Sequence, residues 1–276
     1  MSSKGQNMND IIKELQDMRY LNWTRTRKTS VTAGSFLKSY DDSSKRKKYY
    51  KLSDYNPVNK LIGHECVNEI IVQRLLDLLG INHLKYTLIN ALITVDGMEI
   101  NTYLCESEDF KKPGESKIAL EDYFMIHKEG NESPFEFCLR NGWEKYIYDM
   151  LLTDYIILNR DRHGANIEVL RDAKNRLIRL APLFDHGLSL LCRCHTPDEI
   201  KIFDVCEDRK VQAFIGTSST FENMHLLPKE YINSLPNISE SDINDLFTGL
   251  DDVISKEHLD KINEMILKRW YSLGNI

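Results

Sequence analysis

The sequence has no apolar run long enough to cross a membrane and no excess of positive charge. Its apolar stretches stay short of the roughly 18 residues of a membrane span, and the first 30 residues lack a signal-peptide core. Lysine and arginine number 36 against 42 aspartates and glutamates, a formal net charge of −6. A dedicated nucleic-acid binder needs a dominant cationic surface. We therefore expect a soluble cytoplasmic protein with no membrane span and no direct nucleic-acid binding.

Cysteine is scarce as well, with six residues in a chain of 276. This number is too small for a disulfide scaffold in a chain of this length and fits a reducing compartment. The one cluster, Cys192-Arg193-Cys194-His195, lacks a second half at zinc-finger spacing, and no HExxH pattern occurs. The sequence therefore disfavours a zinc enzyme.

Hydrophobic periodicity predicts a sheet-rich N-terminal part. Alternating stretches bounded by turn residues are typical of strands, whereas apolar residues three and four apart indicate helices. The expected elements are a helix over residues 9–20, hairpin arms over Val31–Tyr40 and Lys48–Leu52, a helix over Glu65–Leu79, and a second hairpin of strands over Lys85–Thr94 and Met98–Leu104, separated by the turn Val95-Asp96-Gly97.

The C-terminal part is predicted to be mainly helical and to carry one β hairpin over residues 167–184. Strands followed by helices are the order of an α+β fold. We therefore expect two lobes, an antiparallel-sheet N-lobe over residues 1–106 and a mainly helical C-lobe over residues 107–276.

The densest group of polar residues lies between 159 and 187, and its first part, Asn159–Asn166, follows a long apolar helix. Asp161 and Asn166 are five apart, the Asp-to-Asn spacing of the kinase catalytic loop, which offers a carboxylate to a hydroxyl and an amide oxygen to a divalent cation. Asp185, in Phe184-Asp185-His186-Gly187, can complete the protein share of a Mg²⁺ site. The alternative is capping of the loop by its Asx side chains, but the joint pattern favours function.

The N-terminal part offers candidates for binding phosphates. Lys51 lies on the second hairpin strand, where burial is costly unless the cation is paired, and the next helix carries Glu65 and Glu69. A Lys–Glu pair positions the nucleotide phosphates in kinases, whereas the alternative is a lysine on the solvent face of an edge strand. The segment Thr32–Lys38, which contains Ala33-Gly34-Ser35, offers backbone N–H groups to phosphates.

Together these motifs resemble a known family. The run NRDRHGANI followed by FDHG, Ala-Gly in a phosphate loop, a strand lysine, and Asn-Glu opening a helix that ends Leu-Leu-Gly are similar to the HipA-like kinases. That family is a bacterial branch of the protein-kinase and phosphatidylinositol 3/4-kinase-like fold. The resemblance covers residues 30–190 and suggests a compact, stand-alone member.

The resemblance implies roles for individual residues. Asp161 would be the base for the acceptor hydroxyl, Asn166 and Asp185 would bind Mg²⁺, and Lys51 would contact the phosphates, with Glu69 the better ion-pair partner and Glu65 still open. The remaining nucleotide contacts would come from Ala33, Gly34, Ser35 and Glu106, with Leu104–Ser107 as the hinge that reads adenine, and Ser30, Thr32 and Ser35 are the candidates for autophosphorylation.

The expected function is an ATP- and Mg²⁺-dependent kinase that acts on Ser/Thr of a protein substrate and phosphorylates itself. Two alternatives stay open. One is a lipid or small-molecule kinase of the same fold, and the other is a pseudokinase that serves as a binding module in a toxin–antitoxin or effector system. An antitoxin-like partner, and export as an effector without a Sec signal, also stay open.

Overall fold

The computed structural model contains two compact units. The first comprises Met1–Gln73 and Lys85–Asp109, and the second Arg74–Leu84 and Phe110–Ile276. The predicted lobes differ from these units at residues 74–84 and 107–109, and the functions expected of the lobes stay predictions. The structure describes residues 10–24, 36–43, 46–56, 58 and 63–275.

A mixed five-stranded sheet dominates the first unit. The strand order is β1-β4-β5-β3-β2, and neighbours run antiparallel except for the parallel pair of β1 and β4. The strands are β1 (Ile11–Asp17), β2 (Lys38–Asp41), β3 (Lys48–Leu52), β4 (Tyr86–Val95) and β5 (Met98–Glu108).

Strand β1 corrects the helix predicted over residues 9–20. Ile11 and Ile12 pair with Leu88 and Ile89 of β4, and the register shifts before Gln16. Pairing with β4 satisfies backbone N–H and C=O groups of this segment. This tertiary pairing overrides a weak local helical pattern.

Burial on one face fixes the register of the sheet. Along β4, Ile89, Ala91, Ile93 and Val95 are buried in one core cluster and alternate with half-buried neighbours. A shift of one residue would expose this apolar set, so the register is strongly specified. The β4–β5 turn confirms the predicted hairpin, because Asp96 and Gly97 adopt positive φ angles of 50° and 78°.

Helix α1 spans Glu65–Leu79, the range that its periodicity predicts. Gly80, at φ 68°, adopts the left-handed conformation common just after a helix. The helix is buried on all sides from Glu65 to Leu76, so its polar residues are buried too. A buried carboxylate on this helix therefore needs a partner.

The second unit combines helices with a three-stranded sheet of order β6-β8-β9. The predicted hairpin is confirmed as β8 and β9, but β6 was expected to be part of the helical region. It pairs with β8 from Glu115↔Asp172 to Ala119↔Glu168. The strands are β6 (Glu115–Ala119), β7 (Asp161–Arg162), β8 (Glu168–Asp172), β9 (Leu177–Leu180) and β10 (Gln212–Ala213).

The helices of the second unit supply its buried core. Among the described residues, no helix is both long and apolar enough to cross a membrane. The helices are α2 (Leu120–His127), α3 (Pro134–Arg140), α4 (Glu144–Ile157), α5 (Pro197–Ile202), α6 (Thr220–Asn223), α7 (Lys229–Asn233), α8 (Glu240–Asn244) and α9 (Lys256–Ser272).

Candidate active site

The polar loop, residues 159–166, begins where α4 ends. Leu158 adopts a left-handed conformation with φ 50° and caps the helix, which directs the chain into β7 and a short 3₁₀ turn, Gly164–Asn166. Asn166 Nδ2 donates to the carbonyl oxygen of Asp161 at 2.8 Å. A carbonyl oxygen only accepts hydrogen bonds, so this contact fixes which end of the Asn166 amide is NH₂.

The other end of this amide is an acceptor without a hydrogen bond. Asn166 is 1% exposed, and its Oδ1 atom is buried with no hydrogen-bond partner in the described structure. An unsatisfied buried polar atom is costly and needs an explanation. A divalent cation satisfies an amide oxygen of this kind, so the residue fits the predicted Mg²⁺ role.

Asp161 lies at the start of β7 with its carboxylate partly open to solvent. Its Oδ1 atom is 3.7 Å from His163 Nε2, and its side chain is 27% exposed. His163 Nδ1 accepts from the Ala165 backbone N–H at 3.2 Å, so in the neutral imidazole the hydrogen is on Nε2, which faces Asp161. His163 thus holds the loop backbone and borders the carboxylate.

Arg162 joins the polar loop to two other segments, a role that the motif analysis missed. Its guanidinium donates to Asp154 of α4, with Nε at 3.0 Å and Nη2 at 2.9 Å. Its Nη1 atom donates to the carbonyl oxygens of Phe184 at 3.0 Å and Asn166 at 3.4 Å. One buried side chain therefore brings the loop of Asn166 and the segment before Asp185 together.

Burial and mutual attraction together set the charge state of the Arg162–Asp154 ion pair. Burial by itself lowers the pKa of Arg162, but the Asp154 carboxylate outweighs that effect and raises it, so the guanidinium stays charged. Asn159 adds a link, because its Nδ2 donates to Asp154 and its Oδ1 accepts from the Asp161 N–H. A sequence signal existed: Asp154 interrupts an apolar helix, where a carboxylate needs a partner.

Asp185 adopts a strained backbone conformation next to this network. Its φ angle is 60°, in the left-handed region that residues other than glycine seldom occupy, although aspartate tolerates it better than most. Strain of this kind persists only where the surroundings impose it and is typical of functional sites. The hydrogen bond from Arg162 to the preceding Phe184 carbonyl is one such constraint.

The first unit contains the predicted lysine–glutamate pair. Lys51 Nζ lies 2.9 Å from Glu69 Oε1, and the side chain of Glu69 has no exposed surface. Glu65, the other candidate, instead accepts from the Asp54 backbone N–H at 3.0 Å. Lys51 is 9% exposed, so the alternative of a lysine on a solvent face is wrong.

The prediction of a hinge at Leu104–Ser107 is wrong. These residues lie inside β5, and Glu106 pairs with Tyr50 of β3 on one side and Thr87 of β4 on the other. Both backbone edges face paired strands, so no backbone group there is available for adenine. The Glu106 side chain instead accepts from Lys48 Nζ at 2.8 Å, and the first unit ends at Asp109.

The predicted phosphate loop lies outside the described residues. This applies to Ala33, Gly34 and Ser35, and to the predicted autophosphorylation sites Ser30, Thr32 and Ser35.

Within the described ranges, no group of three His, Cys, Asp or Glu side chains could hold a metal. A Mg²⁺ ion with phosphate ligands needs only one or two carboxylates, and Arg162 Nη1 links the Asn166 carbonyl oxygen to that of Phe184, the residue directly before Asp185.

Comparison with known protein structures identifies the fold of the chain. No protein-family model matches the sequence, and no curated protein sequence matches it. The crystal structure of the Helicobacter pylori proinflammatory kinase CtkA matches with a TM-score of 0.61, at 14% identity over 92% of this chain and 93% of that chain. The chain has a kinase fold. The α+β, kinase-like architecture expected from the sequence is thereby confirmed.

A second solved structure is similar over less of its length. It is the Shewanella oneidensis MR-1 toxin–antitoxin system HipA, HipB and its operator DNA, matched at 17% identity with a TM-score of 0.40. The alignment covers 89% of this chain but 58% of that chain.

Proposed function

We propose that this protein is an ATP- and Mg²⁺-dependent phosphotransferase, a HipA-like protein Ser/Thr kinase that phosphorylates itself. The observation that carries the proposal is the Asn166 amide, whose NH₂ group is bound to the Asp161 carbonyl while its Oδ1 atom is buried without a hydrogen-bond partner. A loop that serves only as a structural connection has no need of such an unsatisfied acceptor.

Asp161 has the surroundings expected of a general base that acts on the hydroxyl receiving the phosphoryl group. Its carboxylate is partly accessible, and its backbone is held by Asn159 and Asn166. A fixed carboxylate accepts a hydrogen bond from the attacking hydroxyl, orients the oxygen and takes its proton as the bond to the γ-phosphorus forms and the bond from that phosphorus to the leaving ADP oxygen breaks. Holding the reacting groups in one geometry supplies much of the rate enhancement in phosphoryl transfer.

Lys51 would bind the nucleotide phosphates, with Glu69 as the residue that orients its ammonium group. Asn166 Oδ1 and the Asp185 carboxylate would hold Mg²⁺. When bound, that ion would offset the negative charge of the phosphates. Arg162 would keep both metal-binding segments in register through the Asn166 and Phe184 carbonyl oxygens.

Two other functions are compatible with the kinase fold. A pseudokinase module is disfavoured because Lys51, Asp161 and Asp185 are all present, and pseudokinases usually lack one of them. A lipid or small-molecule kinase would use the same residues and differs only in its acceptor. The antitoxin-like partner and the cytoplasmic location stay predictions.

The test is transfer of label from γ-labelled ATP with Mg²⁺, measured on the purified protein and on Asp161→Asn and Asp185→Asn. Label on the wild type, at least about a hundredfold weaker in both variants, would support the proposal. The exposed Asp251→Asn is the control and should behave as wild type. If no label is transferred to any acceptor and ATP does not raise the melting temperature, the proposal is overturned.

A further inference from the structure

Glu121, in the first turn of α2, lies directly against the polar loop. The Leu120 backbone N–H donates to the Ile167 carbonyl oxygen at 2.8 Å, which joins the start of α2 to the residue after Asn166. A Cβ atom placed on Gly164 would lie 2.5 Å from Glu121 Cβ and 2.7 Å from Glu121 Oε2, closer than non-bonded atoms approach. The Glu121 side chain therefore occupies the space that a side chain at position 164 would need.

This close approach explains the glycine of the loop. Gly164 does not have a positive φ angle, so its backbone conformation is open to any residue, and its missing side chain serves the contact instead. The 3₁₀ turn Gly164–Asn166 follows His163, whose Nε2 atom is 3.7 Å from Asp161 Oδ1. Glu121 is thus fixed beside the loop that presents the proposed base.

The charge of Glu121 is not compensated by the described part of the chain. Its side chain is exposed and makes no ion pair or hydrogen bond with any described residue. Other charged side chains nearby in sequence do have partners, since Glu115 pairs with Arg179 at 2.7 Å and Lys117 with Glu168 at 2.8 Å. Lys117 is the cation nearest to Glu121 in sequence and is engaged elsewhere. The Glu121 carboxylate is therefore available to a cation of a ligand.

The distance from this carboxylate to the proposed base suits one short peptide segment. Asp161 and Gly164 are three residues apart, so their Cα atoms are at most about 11 Å apart. An extended peptide covers that distance in three to four residues, at about 3.3 Å per residue. A peptide whose hydroxyl lies at Asp161 can therefore place a nearby side chain at Glu121. A positive side chain there would be attracted by both carboxylates, whereas an acidic one would be repelled.

We propose that Glu121 selects protein acceptors that carry an arginine or lysine within about four residues of the phosphorylated hydroxyl. A guanidinium or ammonium group would bind the fixed carboxylate through charge-assisted hydrogen bonds. This inference rests on the proposed function and names its substrate class, a basic protein segment rather than a lipid or an uncharged small molecule.

The experiment measures phosphoryl transfer from ATP and Mg²⁺ to short peptides with one serine. Each peptide is otherwise uncharged and carries arginine, glutamine or glutamate at one position before or after the serine. At constant ionic strength, we expect kcat/KM of the best arginine peptide to exceed that of its glutamine counterpart about tenfold. Glu121→Gln should remove this preference, and Glu121→Lys should reverse it in favour of glutamate at the same position.

A second glutamate provides the matched control. Glu144 is exposed in the first turn of α4, so Glu144→Gln removes the same charge from the same kind of helical position and should keep the arginine preference. Because Glu121 is exposed as well, its substitutions should leave the fold intact, which the melting temperatures check.

A binding measurement separates this inference from the proposed function. Peptides with alanine in place of the serine cannot accept a phosphoryl group, and their affinity for the full chain is measured by fluorescence anisotropy. Preferential binding of the arginine peptide that is lost in Glu121→Gln, without transfer to any peptide or to the chain itself, would overturn the proposed function alone. Transfer without an arginine preference at any position, or with a preference that persists in Glu121→Gln, would overturn this inference alone. The absence of both binding and transfer would overturn both.

Discussion

Lys51 Nζ and Glu69 Oε1 are 2.9 Å apart, although 18 residues separate them in sequence, and the Glu69 side chain has no exposed surface. Each ion is costly to bury alone, so the pair is stable only as a pair. The cation is therefore held in one orientation on β3, and its placement depends on how α1 packs against the sheet.

The pair predicts non-additive stability changes. Lys51→Met and Glu69→Leu should each lower the free energy of unfolding by about 3–5 kcal/mol, because each removes the ion-pair partner of a buried charge. The double variant should be more stable than either single variant yet remain inactive, since Lys51 would bind the phosphates. Urea unfolding and phosphoryl transfer, measured on all three, check this. Additive losses in stability would contradict it.

Arg162 should not be replaceable by lysine. Lysine keeps the charge but lacks the planar fork that binds Asp154 and two carbonyl oxygens at once. We expect Arg162→Lys to lose about 1–3 kcal/mol of stability and to lower kcat more than it raises KM for ATP, because the loop loses its alignment. Steady-state kinetics beside the exposed control Arg171→Lys check this. A change in KM alone would contradict a positioning role.

The left-handed backbone at Asp185 predicts an unusual order of stability among variants at this position. Asp185→Gly should be more stable than Asp185→Ala by about 1 kcal/mol, because glycine accepts a φ of 60° without the steric cost that alanine has. Both variants should be equally inactive, since both lack the carboxylate. Chemical unfolding of the two proteins gives the comparison, and a more stable alanine variant would argue against the strained backbone.

Glu65 makes stability depend on pH. Burial raises the pKa of this carboxyl above its ordinary value of about 4.3. Between the unfolded and folded pKa values the folded state binds more protons, so this contribution to stability is lost as pH rises through that interval. Glu65→Gln cannot titrate and still offers an oxygen to the Asp54 N–H.

The expected result is that Glu65→Gln gains stability relative to wild type as the pH is raised from 4 to 7. Urea unfolding at both pH values checks it. Glu14→Gln, on the exposed side of β1, controls for the loss of one negative charge. A relative gain on lowering the pH would contradict the sign.

Thiol reactivity should single out one cysteine. Cys206 is exposed, whereas the other five are buried, and burial raises the pKa of Cys138 to about 12. A thiol reagent at pH 8 should therefore modify one equivalent rapidly in the native protein and six after unfolding. Cys206→Ser should lack the rapid phase, and a second rapid equivalent would contradict the burial.

Local patterns predicted the elements whose contacts are local. The range of α1, the β4–β5 turn at Asp96 and Gly97, and the hairpin of β8 and β9 follow from periodicity and turn chemistry, and all are found. Local patterns failed for β1, and the family resemblance failed for the hinge, which lies within β5. Each depends on pairing with a strand distant in sequence, which no local window contains.

The sequence by itself determined the chemistry of the candidate site. A carboxylate and an amide five residues apart, a second carboxylate after a hairpin, and a strand lysine followed by helical glutamates are properties of residue type and spacing. Tertiary structure decided the partners: Glu69 rather than Glu65 for Lys51, Asp154 for Arg162, and the burial that leaves Asn166 Oδ1 without a hydrogen bond. Burial is a property of the packed chain, and it makes pairing obligatory for polar groups that solvent would otherwise satisfy.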